Sequence, residues 1–336
     1  VSVQLKIGAD VVMSGRLDRV RRSVSRSGIT LSLSGRDDAA ILVDCAAPVM
    51  TSRQISLEEV VSKVVRPLGI TNIQIHAESS ILNDKISAEP GERAWDLLLR
   101  VCAARGLWPW FSPDGTLIIG GPDYTAAPVA TLVLRRNGSG NNLLSLDEES
   151  SIERSFSTMT VLAQGHAHAA ASSSTAIVDV TDANSSDSVA MSTGTAETGL
   201  HGLTATVTDP TVTVYRPQIL RVSDADNQEQ VNFRARKTMS DARLAGYSLM
   251  ATVAGHRTSD DVLWTPGQRI HVVSEPHSID AIFFLMGREF NGGRPGGTTT
   301  TLRLKEDGIW IPDAYPKKKK QRKRKGKREV AIVDVG

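Results

Sequence analysis

Between Ser32 and Ala47 the chain reads SLSGRDDAAILVDCAA. The stretch sets an arginine, Arg36, beside two adjacent carboxylates, Asp37 and Asp38, with Asp44 and the thiol of Cys45 close behind. Paired carboxylates do general acid and base work when both reach one reacting group. Neighbours on a strand point to opposite faces, so Asp37 and Asp38 cannot share a site there, and Arg36 beside an aspartate makes a local turn or an ion pair. His166 and His168, in GHAHAA, stand at i and i+2, a spacing that suits two metal ligands on one face of a strand, but no third ligand lies near them. Gly292, Gly293, Gly296 and Gly297 are not followed by a Lys-Ser or Lys-Thr step and read as a hairpin loop rather than a phosphate cradle. Gly-x-Ser-x-Gly and His-Glu-x-x-His are both absent from the sequence. Cys45 and Cys102 are too few for a disulfide framework and read as small buried hydrophobes. The expectation is a protein without a catalytic centre, metal or cofactor.

Charge is the other candidate for function. The run Lys317, Lys318, Lys319, Lys320, Arg322, Lys323, Arg324, Lys325, Lys327 and Arg328 holds ten basic residues and no acid. The whole chain carries only +2, so everything outside that run sums to −8. A segment with no apolar residue cannot fold alone. It stays solvated, binds an acidic protein surface, or binds nucleic acid or another anionic polymer. Lacking an aromatic residue to stack on bases, it would grip nucleic acid without sequence preference.

The elements that would position these residues are mostly strands. At 336 residues the chain is long enough for two to four domains, and its 40% hydrophobic and 23% charged content is that of a globular protein. It has no apolar run long enough to span a bilayer, so no membrane span is expected. VSVQLKIG, DVVMSGRLDRVRRSVS and GITLSLSGRD alternate apolar and polar residues between turn signals, as in a meander or small barrel. They predict a half-buried sheet with Leu31 and Leu33 on one face and Ser32 and Ser34 on the other. SLEEVVSKVVRPLG has helical spacing and a capping box of Ser56 with Glu59. PGERAWDLLLRVCAARG predicts a second helix with Trp95, Leu98, Leu99 and Cys102 on its apolar face and Gly106 just past its end. The hairpin LWPWF, SPDG, TLIIGG follows. Residues His166 to about Asp209, rich in Ala, Ser and Thr, read as a long mobile insertion. Beyond them, one helix over DNQEQVNFRARKTMSDARLAGYS precedes four strands. The fold class is α+β, mostly β.

SLSGRDDAAILVDCAA, ISLEEVVSKVVRPLGI, GERAWDLLLRVCAARGLWPWFSPDGTLIIG, VYRPQILRVSD and LWTPGQRIHVV occur in this order, and the series resembles the baseplate hub proteins of Mu-like contractile-tailed phages. The resemblance spans roughly residues 1–311 and omits the Ala/Ser-rich insertion and the basic tail. It implies a first β-barrel-type domain over 1–50, preceded in the family by further strands. A small α+β domain over 51–125, a second β-barrel-type domain over 126–312 and a basic tail over 313–336 complete the division. Gly35, Arg36, Asp37, Asp44, Tyr215, Arg216, Pro217, Trp264, Pro266 and Gly267 carry the motifs and are implied to be structural. The implied assembly is a homotrimeric ring joining a hexameric tail tube to a trimeric spike. Its expected partners are the tube protein, the central spike protein and other baseplate proteins, with phage DNA passing transiently through the lumen. Three other readings remain: the hub of a contractile bacteriocin, an envelope-degrading hub enzyme, and a nucleic-acid-binding protein acting through the tail.

Overall fold

The structure is a computed structural model. It describes residues 2–76, 83–105, 107–121, 123–163, 175–179, 190–192, 202–222, 228–293 and 297–309. Three strands come first: β1 (Ser2–Ile7), β2 (Asp10–Ser25) and β3 (Gly28–Asp37), paired antiparallel in that order. Gly8 at φ +63° makes the first tight turn, where a side chain would be strained. The two faces of β3 alternate as the sequence predicts, but the half-buried sheet is not what forms. Leu31 and Leu33 are 58% and 57% exposed, and every residue from 18 to 36 faces water, because no other part of the described chain covers this stretch.

A compact α+β unit follows, built from α1 (Ala39–Asp44), β4 (Thr51–Ile55), α2 (Leu57–Val64), β5 (Ile73–Ile75), β6 (Asn83–Ser87), α3 (Ala94–Ala103), β7 (Trp108–Phe111) and β8 (Leu117–Gly120). The capping box at α2 is present: Glu59 N–H donates to Ser56 Oγ, and the Ser56 N–H donates back to the Glu59 carboxylate. Leu57, Val60, Val61 and Val64 of α2 bury against Leu97, Leu98, Val101 and Cys102 of α3 and against Leu42 of α1. The buried face of α3 also takes Ala94, whereas Leu99 and Trp95 are only partly buried. This corrects the predicted face. Three successive leucines leave the helical phase open, and small Ala94 lets the helix turn Leu97 inward. Gly106 lies outside the described residues.

The second half contains two sheets with separate cores. One has six strands in the order β10-β16-β19-β18-β17-β9, from β9 (Ala130–Leu134), β10 (Leu143–Ser150), β16 (Tyr247–Ala254), β17 (Arg269–Ser274), β18 (Ile279–Gly293) and β19 (Gly297–Glu306). It curls as a half-barrel around Leu132, Leu249, Trp264, Ile270, Leu285 and Leu302. Its two edge strands are drawn together by Asn142, whose Oδ1 accepts from the Val133 N–H at 2.7 Å and whose Nδ2 donates to the Thr131 carbonyl at 2.8 Å. The other sheet, order β13-β12-β14-β11-β15, comprises β11 (Thr158–Ala163), β12 (Thr175–Asp179), β13 (Ala190–Ser192), β14 (Leu203–Thr208) and β15 (Pro217–Val222). Strands β12, β13 and β14 fall within the 166–209 stretch read as a mobile insertion, of which residues 166–174, 180–189 and 193–201 lie outside the described residues. Alanine and threonine suffice in β14 because Ala205 and Val207 lie under a helix, α4 (Gln228–Gly246), which packs Val231, Ala235 and Met239 against them.

Helix α4 runs into β16 without a connecting loop. Gly246 sits so close to the 151–155 segment that a Cβ there would meet Ser155 Oγ at 2.6 Å. Lys305 of β19 donates to the Leu244 and Tyr247 carbonyls, satisfying acceptors that the end of a helix leaves open. Two turns of helix further back, Lys237 is fully buried, paired with Asp241 and with its Nζ 4.2 Å from the centre of the Trp108 ring in β7. Burial holds its ammonium below the ordinary lysine range. Removing the counter-charge in Asp241→Ala strands a buried cation, and urea unfolding is expected to show a loss of about 3 kcal/mol. Because folding lowers the lysine's pKa, that loss shrinks as pH rises and the buried amine gives up its proton. Lys237→Met leaves only the half-exposed Asp241 to be hydrated and should cost less than about 1 kcal/mol.

Candidate interaction surfaces

The stretch with which the chemistry began is built as a joint. Gly35 approaches β2 so closely that a Cβ would lie 2.4 Å from the Arg16 carbonyl oxygen, and Gly15 is equally confined against Arg36. Arg36 reaches from β3 to two carboxylates: its Nε donates to Asp18 at 2.5 Å and its terminal nitrogens donate to Asp44 at 2.6 and 3.2 Å. The guanidinium's hydrogen bonds draw Asp44 below the usual carboxylate range. Asp38 does not stand beside Asp37 on a strand as expected; it is the N-cap position of α1, and its carboxylate faces Arg16 at 3.4 Å. Asp37 accepts from the Ala39 N–H, and burial raises its pKa. Arg36 thus locks the end of β3 to β2 on one side and to α1 on the other.

The other motif residues also end in contacts within the chain. Arg216 donates from Nε to the Ser155 carbonyl at 2.9 Å, and its backbone exchanges hydrogen bonds with Ser157, so it staples the segment before β11 to the start of β15. Tyr215 and Pro217 beside it face solvent. Trp264 is buried in the half-barrel core. Pro266 precedes Gly267, whose φ of +99° and N–H to Leu285 shape the turn into β17. Cys102 is buried and its thiol is pushed up to about 12; Cys45, partly exposed, is also a free thiol. His166, His168 and the ten basic residues from Lys317 to Arg328 lie outside the described residues. Among the described residues, no three His, Cys, Asp or Glu side chains converge as metal ligands would, and no helix is long and apolar enough to cross a membrane.

What the described chain offers instead are surfaces. The ribbon of β2 and β3 beyond Arg16 stands clear of the body. Its foot is fastened by Arg257, which donates to Asp10 at 2.6 Å, and by Arg288, which donates to the Val12 carbonyl at 3.3 Å, so the N-terminal sheet rests against the half-barrel. Other large apolar side chains exposed among the described residues include Val214, Tyr215 and Ile219, and Leu144 and Met250. Strand alternation foretold which ribbon residues share a face. It held no signal that the ribbon would be uncovered, because a strand face turned to a core and one turned to a partner have the same pattern.

Comparison with known proteins gives the class first. Residues 39–121, the α+β unit, match a family described as "Baseplate hub protein gp44-like, second domain". Residues 189–239 match "Tail protein NMB1110-like, third domain", and residues 241–309 match "Tail protein, C-terminal domain". This is a phage tail protein. The crystallised tail protein from Neisseria meningitidis MC58 is 40% identical, with 94% of this chain and 86% of that one covered and a TM-score of 0.77. The baseplate hub protein gp44 of Escherichia phage Mu is 26% identical over 288 residues, 84% of this chain and 69% of the relative. The 43 kDa tail protein of prophage MuSo2 from Shewanella oneidensis shares the fold at 22% identity, with a TM-score of 0.71 over 94% of this chain and 84% of that one. The chain belongs to the baseplate hub family of Mu-like phages.

Gly35→Ala forces two strands apart at the joint and is expected to cost about 1–3 kcal/mol in thermal or urea unfolding. Asp44→Asn should leave unfolding less sensitive to acid. The depressed pKa of Asp44 contributes stability above the ordinary carboxylate pKa, and that contribution is lost as pH falls through the folded value. Unfolding midpoints measured from pH 7 down to pH 3 check this.

Proposed function

We propose that this protein is the structural hub subunit of a contractile-tail baseplate. In this reading three copies form a ring that joins the hexameric tail tube to the trimeric spike, takes part in tail assembly, and lets DNA leave through its lumen. The observation that carries the reading is the placement of the N-terminal sheet against the six-stranded half-barrel, through Arg257 with Asp10 and Arg288 with Val12. A subunit with two β modules side by side gives a trimer six modules in a circle, which is what a threefold ring needs in order to meet a sixfold tube. The family of tail and hub proteins supports the same role. The division into two barrel-type domains, 1–50 and 126–312, flanking an α+β domain over 51–125, belongs to this proposal, as does a non-enzymatic role. An acidic body, −8 without the Lys317–Arg328 run, suits a lumen through which DNA slides without sticking.

In this reading the basic run over 317–328 lies outside the lumen, against an acidic surface of the spike or of another baseplate protein. Light scattering of the purified chain should give the mass of three subunits, and electron microscopy should show a ring with an open centre; a monomer that fails to close even with the spike present refutes the ring. Deleting 317–328 should leave the ring intact and reduce its incorporation into baseplates. Normal baseplates and infectivity after that deletion would remove the tail from assembly.

A further inference from the structure

Strand β15 stands at the end of the five-stranded sheet and pairs only with β11, parallel to it, so among the described residues the backbone groups along its other side have no ladder partner. An open edge of this kind is a template for one more strand. Pro217, which has no N–H to offer, blunts only its first position. The side chains of β15 alternate. Gln218, Leu220 and Val222 turn to the side sealed by α4, where Leu220 and Val222 reach the core cluster but stay only partly buried. Pro217, Ile219 and Arg221 face water on the other side, with Ile219 65% exposed. The core under α4 therefore stops short at this edge.

The sequence contains a segment that fits it. Residues 329–335 read Glu-Val-Ala-Ile-Val-Asp-Val, and Val330, Ile332, Val333 and Val335 are apolar and β-branched, a strand composition unlike that of the basic run just before them. Glu329 and Asp334 stand five residues apart, as do Arg216 and Arg221 at β15. Laid parallel to β15 in the register those charges set, Asp334 meets Arg221 and Ile332 meets Ile219 on the outward side, while Val333 and Val335 fall beside Leu220 and Val222 on the side under α4. The antiparallel arrangement that also matches the charges sets Ile332 against Gln218 and Val333 against Pro217, a poorer pairing. The edge is within reach: Ile309 packs by Leu244 and Phe284, Gly246 lies against Ser155, and Arg216 donates to the Ser155 carbonyl. Nineteen residues separate Ile309 from Glu329 and span about 60 Å when fully extended. We infer that residues 329–335 add to the open edge of β15 in the same chain as a sixth, parallel strand. A tether of this length gives the segment an effective concentration of about a millimolar at its own edge, which favours that edge over another copy's. The inference stands apart from the hub reading, and it makes the 317–328 run a loop fastened at both ends on the flank of the five-stranded sheet.

Hydrogen exchange read by mass spectrometry on the full chain tests it. The amides of residues 330–334 are expected to exchange about tenfold or more slowly than those of an unpaired chain, to the same degree at low and high protein concentration. Removing residues 329–336 should speed exchange across 218–222. Arg221→Glu, at an exposed position, should cut the protection of 330–334, and adding Asp334→Arg to it should recover most of the loss. Thermal unfolding of each variant checks that the body remains folded. Unprotected amides over 330–334 in the wild-type chain overturn the inference. So does protection that survives Arg221→Glu while exchange across 218–222 ignores the deletion, since the segment then docks elsewhere. Protection that rises with protein concentration means that the strand is given to a second copy, and the same-chain contact fails. The hub reading is judged separately, by the trimer mass and the ring, which none of these outcomes decides.

Discussion

Helix α4 is the element that makes three packed units into one molecule. Its apolar face seals the five-stranded sheet, its last turn becomes the first residue of β16, and its one fully buried cation rests on a tryptophan of the α+β unit. A lysine ammonium leaves water only at considerable cost, so Lys237 is tolerated because Asp241 and the Trp108 ring are both within reach. That requirement fixes how far the helix can slide or turn. Leu244 and Phe284 pack beside it with Trp108, Tyr124 and Met286, and Lys305 closes the helix end. The positions of β16 and of the half-barrel built on it follow from this seat.

Other joints use polar groups in the same way. Arg36 ties three segments with one side chain, Arg216 staples a loop to a strand, and Asn142 takes the place of missing ladder bonds between two edge strands. Residues that look chemical in the sequence, an arginine among three aspartates, are occupied in holding chain segments together. Among the described residues, exposed large apolar side chains include several on the ribbon, on β10 and β16, and around the start of β15.

Much of this was legible in the residues. The capping box at Ser56 and Glu59 marked the start of α2, and alternation in GITLSLSGRD marked the two faces of β3. Legibility failed where the deciding factor was another segment. The face of α3 could not be phased through three leucines without knowing where Leu42 would pack. β14 was hidden because its core side chains are as small as Ala205, which only the helix above it makes sufficient. Asp38 begins a helix because Arg16 and Arg36 hold the chain on either side of it. Exposure of the ribbon could not be foreseen at all, since its sequence is that of a strand with a buried face.

The arginines on that ribbon have a consequence for symmetry. Two copies could bury their apolar strips by laying ribbon on ribbon about a twofold axis, the simplest way for identical chains to pair. Each ribbon would then bring Arg22, which shares the apolar face, against the same residue of its partner, with no acid between residues 19 and 34 to relieve it. Open strand edges invite such zippering, and charged side chains along them are a known guard against it. With such self-pairing penalised, contacts between unlike surfaces are the alternative open to identical chains, and head-to-tail contacts of that kind close into rings or run on as filaments rather than stopping at two.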